Sequence, residues 1–223
     1  MKAKTLLLTT LLVAASGAVA SAQTVYSQNV VGYVNQTNLL NNKYYLIANP
    51  LNNGNNSITN IVLDNSWDGT AAFPFVNGHF GDAEGYFADF GWFPGTNTFA
   101  PGTGFFLFAK NTAPGTITFV GEVKTNASVT LAHGYSLVAS GYPASLSLQA
   151  LGMPGADGDT VFRFDSATQH YAQGIGYFQD YGWYDSNQGD GGPTNGPALK
   201  VGEGVFYFNN GASKPWTQSF SVN

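Results

Sequence analysis

Two aspartates lie where the sequence is richest in aromatic residues, and they are its first candidates for chemistry. Asp89 occurs in GYFADFGWF and Asp180 occurs in GYFQDYGWY. Glycoside hydrolases need two carboxylates that face each other across a cleft. These two aspartates hold equivalent places in one repeated motif, which favours a scaffold role: each accepts backbone N–H bonds in the turn before a glycine.

Other catalytic patterns are missing from the sequence. There is no cysteine and no G-x-S-x-G elbow, so thiol catalysis and the usual serine nucleophile are unsupported. The three histidines are His79, His133 and His170, and none lies in an H-E-x-x-H motif. His79 and His170 are a repeat pair, which favours a structural role. We therefore predict a protein that is not an enzyme.

Oxygen-rich loops are the remaining places for a cofactor. Asp185, Asn187 and Asp190 lie in a Gly-rich loop, and Asp157 and Asp159 precede a strand. Calcium prefers such hard oxygen ligands, but neither stretch completes the calcium-loop pattern. We predict no cofactor beyond a structural calcium ion at 185–190, and ordinary acidic turns are the alternative.

Aromatic residues are candidates for carbohydrate stacking. If residues 85–93 form one strand, Trp92 shares a face with Tyr86, and Asp89 lies on the opposite, wetter face. This pattern favours core packing for Trp92 and its repeat partner Trp183. The alternative is a sugar platform in which these two indoles stack on a sugar while Asp89 and Asp180 bond its hydroxyls. Outside the repeated pattern, Trp67 and Trp216 are independent candidates for ligand contact.

Composition restricts the fold and the partners. Of 223 residues only 9% are charged, whereas 15% are aromatic, and 28 are glycine. Scarce helix formers and frequent turn residues predict an all-β protein. The net charge of −5 and the single arginine leave no basic footprint for nucleic acid or for an anionic membrane.

The N-terminal segment has the pattern of a secretory signal. Residues 1–22 contain two lysines, an apolar stretch from Leu6 to Val19 and the small-residue ending Ala20-Ser21-Ala22. We predict cleavage before Gln23 and a location outside the cell, in the periplasm or at the cell surface. An uncleaved anchor is the alternative. No other stretch is apolar enough to span a membrane as a helix.

An internal repeat organises the rest of the chain. Without a gap, an offset of 91 relates these pairs: Tyr44/Tyr135, Leu46/Leu137, Ala48/Ala139, Asp68/Asp159, Phe73/Phe164, His79/His170 and the GYF-x-D-aromatic-GW blocks. The offset then becomes 100 for PGTGFFLF and VGEGVFYF, which places a nine-residue insertion in the loop Asp185–Pro197. Two copies predict two similar lobes or one pseudo-symmetric unit.

The predicted organisation follows from this repeat. Residues 23–42 form an N-terminal strand segment, 43–123 the first copy, 124–133 a linker and 134–223 the second copy. Each copy is predicted to be a β-sandwich or a small barrel-like module of short strands with at most one short helix, capped by Ser57 in the first copy and by Ser145 or Ser147 in the second. The segment NVVGYVN, 29–35, is predicted to pair with a lobe edge or with a neighbouring molecule.

The motif order resembles a module of uncharacterised secreted bacterial proteins. The resemblance rests on the VVGYVN strand, the LIAN and LVAS segments, GYF-x-D-aromatic-GW and PG-x-GFF, and it covers residues 29–222. The first copy departs from the pattern at Phe73-Pro74-Phe75, where the second copy has Phe162-Arg163-Phe164-Asp165. The resemblance implies secretion and an all-β module, and it implies no catalytic residues.

These observations lead to one functional hypothesis and two alternatives. We expect a secreted, non-enzymatic structural or adhesive protein that contacts itself, the extracellular matrix or glycans. A carbohydrate-binding module protein is the alternative, and a secreted glycoside hydrolase ranks third.

Overall fold

The computed structural model describes residues 30–184 and 195–221. Within this part the chain is all-β, with two 3₁₀ helices at Ile58–Asn60 and Asn65–Trp67 and no helix long and apolar enough to cross a membrane. The strands are β1 Val31–Leu39, β2 Lys43–Ala48, β3 Ala71–Val76, β4 His79–Phe80, β5 Glu84–Phe87, β6 Gly91–Phe93, β7 Gly104–Ala109, β8 Gly115–Glu122, β9 Asn126–Leu131, β10 Gly134–Ala139, β11 Leu146–Ser147, β12 Thr160–Phe162, β13 Phe164–Asp165, β14 His170–Tyr171, β15 Ile175–Phe178, β16 Gly182–Tyr184, β17 Ala198–Leu199, β18 Gly204–Asn209 and β19 Lys214–Ser219.

Two antiparallel sheets with the same strand order form the centre of the molecule. The N-terminal sheet runs β2-β7-β3-β5-β6, with β4 paired to β3, and the C-terminal sheet runs β10-β18-β12-β15-β16. Both are open sheets rather than closed rings of strands. The strand order therefore repeats in step with the sequence motifs.

A two-stranded ribbon covers one face of each sheet. Strand β1 pairs with β8 and strand β9 pairs with β19. The first ribbon buries Leu39, Ile117 and Phe119 against Phe105 and Leu107 of the N-terminal sheet. Burying each such side chain contributes about 1.5–3 kcal/mol. Residues 31–35 of the NVVGYVN segment thus pair within their own chain, and the predicted linker 124–133 contains the matching strand β9.

The opposite faces of the two sheets pack on each other. Leu46 and Phe106 meet Leu137 and Phe206 in a small apolar cluster, each with 5–7% of its surface exposed. Alternate residues of a strand point to opposite faces, so β7 directs Phe105 and Leu107 to one core and Phe106 to the other. The layers therefore follow the order ribbon, sheet, sheet, ribbon.

Glycines let the two sheets approach. A methyl group at Gly104 would lie 3.2 Å from the Leu137 side chain and 3.4 Å from the Cα atom of Gly204. The adjoining turns bond across the same interface: the carbonyl of Gly102 accepts from Ala139 N at 3.0 Å, and that of Gly202 accepts from Ala48 N at 2.9 Å. The repeated G-x-G motif thus joins the two sheets.

The ungapped repeat alignment is wrong between residues 68 and 76. Phe106 pairs with Phe73 and its equivalent Phe206 pairs with Phe162, which corresponds to an offset of 89 rather than 91. The offset returns to 91 after a hairpin whose loop is Asn77-Gly78 in the first sheet and four residues long, 166–169, in the second. Asn77 and Gly78 both have positive φ, as a two-residue type I′ turn requires. Phe73 therefore corresponds to Phe162 and not to Phe164, whereas His79 and His170 remain equivalent.

Two local predictions also change. Residues 85–93 form a hairpin with its turn at 88–90 rather than one strand, because Gly91 adopts a φ of 78°. Ser57 caps a 3₁₀ helix, as predicted, by accepting from Thr59 N. In the second copy, Ser147 caps only a single turn by accepting from Ala150 N, and no helix follows among the described residues.

Candidate ligand-binding surface

All four tryptophans lie in the two cores that the ribbons cover. Their exposed fractions are 4% for Trp67, 7% for Trp92, 1% for Trp183 and 0% for Trp216. Three indole N–H groups donate to backbone carbonyls: Trp92 to Ile61 at 2.8 Å, Trp183 to Met153 at 3.3 Å and Trp216 to Leu151 at 2.9 Å. Buried and bonded in this way, the rings offer no face to a sugar. The tryptophans therefore pack in the cores and do not form the sugar platform or the ligand contacts that were considered for them.

Asp89 and Asp180 are exposed in hairpin turns at the outer edges of two different sheets. Asp89 lies between β5 and β6, and Asp180 lies between β15 and β16. Each is adjacent in sequence to an exposed ring, Phe90 or Tyr181, with 75% and 65% of the ring residue exposed. Because the two carboxylates are exposed on different sheets, they can contact polar groups of a ligand but do not form a two-carboxylate catalytic cleft.

Two other aspartates hold these hairpins. Asp68 Oδ1 accepts from Ala88 N at 3.1 Å, and Asp157 Oδ1 accepts from Gln179 N at 2.7 Å. The sequence predicted this scaffold role for Asp89 and Asp180, because they hold equivalent places in the repeated motif. At the offset of 89, Asp68 and Asp157 are the equivalent residues of the two copies, and both bond the hairpin in the same way.

Asp159 is a fully buried carboxylate in the core of the second half. It accepts from Lys214 Nζ, from Tyr207 Oη at 2.8 Å, and from the backbone N–H groups of Ala156 at 2.7 Å and Asn210 at 2.9 Å. Burial works to raise its pKa, but the hydrogen bonds, led by that from Lys214, outweigh burial and lower the pKa below the usual range. Asp159 is therefore a structural anion.

No metal centre forms among residues 30–184 and 195–221, since no three His, Asp or Glu side chains there are close enough to hold an ion. Asp157 and Asp159, one of the two acidic stretches considered for calcium, are bonded to protein donors. Asp185, Asn187 and Asp190 lie outside the described residues.

A row of residues crosses the N-terminal sheet on the face that also meets the other sheet. Register places in one line, from β2 to β6, Tyr44, Phe108, Ala71, Gly85 and Phe93. Four interstrand steps of about 4.8 Å carry this first aromatic row about 19 Å across the sheet. Tyr44 is 42% exposed and Phe93 is 66% exposed. Rings therefore stand at both ends of the row, with Ala71 and Gly85 between them.

The C-terminal sheet repeats this arrangement. Its second aromatic row consists, from β10 to β16, of Tyr135, Phe208, Thr160, Gly176 and Tyr184. Tyr135 and Phe208 have ring centroids 4.9 Å apart, the same separation as Tyr44 and Phe108 in the first row. Partly exposed rings recur at equivalent places in both sheets, and packing in the two cores does not account for their exposure.

A glycine in each row makes room for a further ring. A methyl group on Gly85 would lie 3.1 Å from the Phe87 ring, and one on Gly176 would lie 3.2 Å from the Phe178 ring. Each phenylalanine therefore covers the glycine beside it on the strand, and 42% of Phe87 and 49% of Phe178 remain exposed. Together with Phe90 and Tyr181 in the turns, these rings make the outer end of each row mainly aromatic.

Sequence reasoning did not find the rows, because they join residues far apart in the chain. The signal present in the sequence was the alternation of Phe87 and Phe93 with Tyr86 and Trp92, because the first two rings are exposed and the last two are buried. Chemically, a row of exposed aromatic rings binds by stacking and by excluding water from apolar faces.

Comparisons with known proteins add no relative: no family model, no curated protein and no solved structure matches the chain.

Proposed function

We propose that this protein is a secreted, non-enzymatic adhesive protein that binds neutral extracellular polysaccharides across its two aromatic rows. The observation that carries the proposal is the repetition of partly exposed rings, Tyr44 to Phe93 and Tyr135 to Tyr184, at equivalent register positions of both sheets. Secretion rests on the signal-like pattern of residues 1–22.

The shape of the rows supports an extended ligand. A row of about 19 Å with partly exposed rings along it suits a chain of linked sugars better than a single small molecule. Sugar rings have apolar faces that stack on aromatic side chains, while exposed Asp89 and Asp180 offer acceptors for hydroxyl groups at the hairpin tips. The net charge of −5 opposes binding of acidic polymers.

Hydrolysis is the weaker proposal. Asp89 and Asp180 are exposed and belong to hairpins of different sheets. We expect the parent protein to release no reducing ends from a polysaccharide. The variants Asp89→Asn and Asp180→Asn should therefore show no change in product release. Reducing-end release that disappears with Asp89→Asn would establish the enzyme instead.

The test is binding of the purified protein to cellulose, chitin, xylan, mannan and alginate. We expect binding to at least one neutral polymer and none to alginate. The double variant Phe93→Ala/Tyr184→Ala removes one ring from the outer end of each row and is expected to weaken binding at least tenfold. Tyr33→Ala is the matched control, because Tyr33 is 74% exposed but lies on β1, outside both rows.

Three results would contradict the proposal: no binding to any neutral polymer, preference for alginate, or equal loss in the control and the double variant. Thermal unfolding of each variant shows that the fold is intact.

Self-association is a second candidate, favoured by an apolar patch on the first ribbon. Val31 and Tyr33 of β1 and Val120 of β8 are 66%, 74% and 56% exposed, and Tyr33 pairs with Val120. If this patch joins copies, light scattering will show mass rising with concentration, and Tyr33→Ser will abolish the rise. A constant monomer mass would eliminate this candidate.

A further inference from the structure

Two clefts flank the contact between the sheets, on either side of the buried cluster of Leu46, Phe106, Leu137 and Phe206. The Tyr44 cleft measures about 570 Å³ and is lined by Tyr44, Phe73, Phe80, Phe106, Phe164, Gln169 and Tyr171. The Tyr135 cleft measures about 450 Å³ and is lined by Phe75, Gly78, Tyr135, Phe162, Tyr171 and Phe206. Both volumes fall within the range of about 300–1,000 Å³ typical of small-molecule sites.

The clefts are built from equivalent parts of the two sheets. In each, a tyrosine from β2 or β10 and at least two phenylalanines from the same sheet face a hairpin from the other half of the chain. The β3-β4 hairpin closes the Tyr135 cleft, and the β13-β14 hairpin closes the Tyr44 cleft. Neither cleft is complete without both sheets, and Tyr171 lines both.

The walls carry no charge. Gln169, the one amide in the lining, is committed to the protein: its Nε2 donates to Tyr44 O at 3.1 Å and to Ser166 O at 2.6 Å, and its Oε1 accepts from Tyr44 N at 2.9 Å. Burial also raises the pKa of Tyr171, so this phenol stays neutral at physiological pH. Ring faces and neutral phenols are what the clefts present.

The ring geometry indicates what fits. Wall rings meet edge to face, with Phe75 and Phe206 at 87° and 4.9 Å, and Phe106 and Phe164 at 85° and 5.0 Å. Each cleft therefore exposes both edges and faces, and a flat ring gains stacked and T-shaped contacts that a flexible acyl chain cannot make.

We propose that the two clefts are a pair of sites for a neutral small molecule built on a flat, largely apolar ring system. This proposal does not depend on polysaccharide binding by the aromatic rows. Tyr44 and Tyr135 belong to both surfaces, whereas Tyr171 belongs only to the clefts, and Phe93 and Tyr184 belong only to the rows.

The experiment titrates the protein with N-phenyl-1-naphthylamine. This probe is uncharged, carries a naphthalene and a phenyl ring, and fluoresces in apolar sites. We expect two probe molecules per chain. Tyr171→Ala is expected to weaken both sites at least tenfold, and Tyr135→Ala is expected to leave one site intact. Phe93→Ala/Tyr184→Ala is the control and is expected to keep both sites.

Several outcomes would overturn the proposal. They are absence of probe binding, an affinity unchanged by Tyr171→Ala, or a loss caused equally by the row variant. Preference for a fatty-acid probe such as cis-parinaric acid would reassign the clefts to acyl chains. If polysaccharide binding fails while two-site probe binding persists, only the adhesive function is wrong.

Discussion

The two halves of the molecule solve one packing problem in different ways. On the ribbon, the residue opposite buried Leu39 is Gly115, whereas the residue opposite buried Leu131 is Lys214. In the first half the Trp67 indole occupies the space beside Gly115, where a methyl group would lie 2.1 Å from the ring. In the second half Lys214 reaches a fully buried carboxylate, Asp159.

At the same position of the ribbon, the space beside the buried leucine is therefore occupied by an apolar ring in one half and by an ion pair in the other. Thr70, which corresponds to Asp159 at the offset of 89, exchanges neutral hydrogen bonds with the backbone of Lys110 at 3.2 and 3.0 Å. An apolar core tolerates the loss of one small group, but a buried charge network depends on each of its members. The second half is predicted to be the more fragile of the two.

The largest expected effect is that of Asp159→Ala. It leaves the Lys214 ammonium and two backbone N–H groups without their acceptor, while the Tyr207 hydroxyl keeps Pro154 O at 2.7 Å as a partner. We expect a loss of about 3–5 kcal/mol in the free energy of unfolding. The matched change Thr70→Ala removes only neutral hydrogen bonds and should cost about 1 kcal/mol. Urea unfolding measures both. Equal losses would mean that the two sites are energetically alike.

Gly115→Ala tests the apolar filling. The added methyl group meets the buried Trp67 ring, so we expect a loss of about 1–3 kcal/mol from overpacking. Gly32→Ala is the control on the same ribbon, since a methyl group there has nothing within 4 Å. A neutral result for Gly115→Ala would show that Trp67 moves aside freely.

This contrast shows what the sequence alone can and cannot establish. The all-β class follows from composition and turn residues, and the described residues form short strands such as β2 and β3. The equivalence of Asp159 and Thr70 does not follow, because a two-residue difference in one hairpin loop shifts the repeat locally. The aromatic rows escaped prediction because they depend on register between distant strands, such as Tyr44 opposite Phe108.

A smaller effect is expected in the pH dependence of stability. Because the folded-state pKa of Asp159 is lowered, its stabilisation is complete above the unfolded value of about 3.9 and is lost as the pH falls through the folded value. The free energy of unfolding measured from pH 5 to pH 2 should therefore fall more steeply in the parent protein than in Asp159→Asn. Asp64 and Asp165, whose pKa values are also lowered, titrate in both proteins and cancel in the difference. Parallel curves would contradict the assignment.

The smallest expected effect concerns the hairpin tips, where the first half has Phe90 and the second half has Tyr181. Both side chains are exposed, so Phe90→Tyr and Tyr181→Phe should each change the free energy of unfolding by less than about 0.5 kcal/mol. Polysaccharide affinity is the sensitive measurement. If the Tyr181 hydroxyl bonds a sugar, Tyr181→Phe weakens binding about fivefold, equivalent to about 1 kcal/mol, and Phe90→Tyr strengthens it. Unchanged affinity in both variants would show that the two tips bind through their ring faces alone, which makes the halves functionally equivalent despite their different cores.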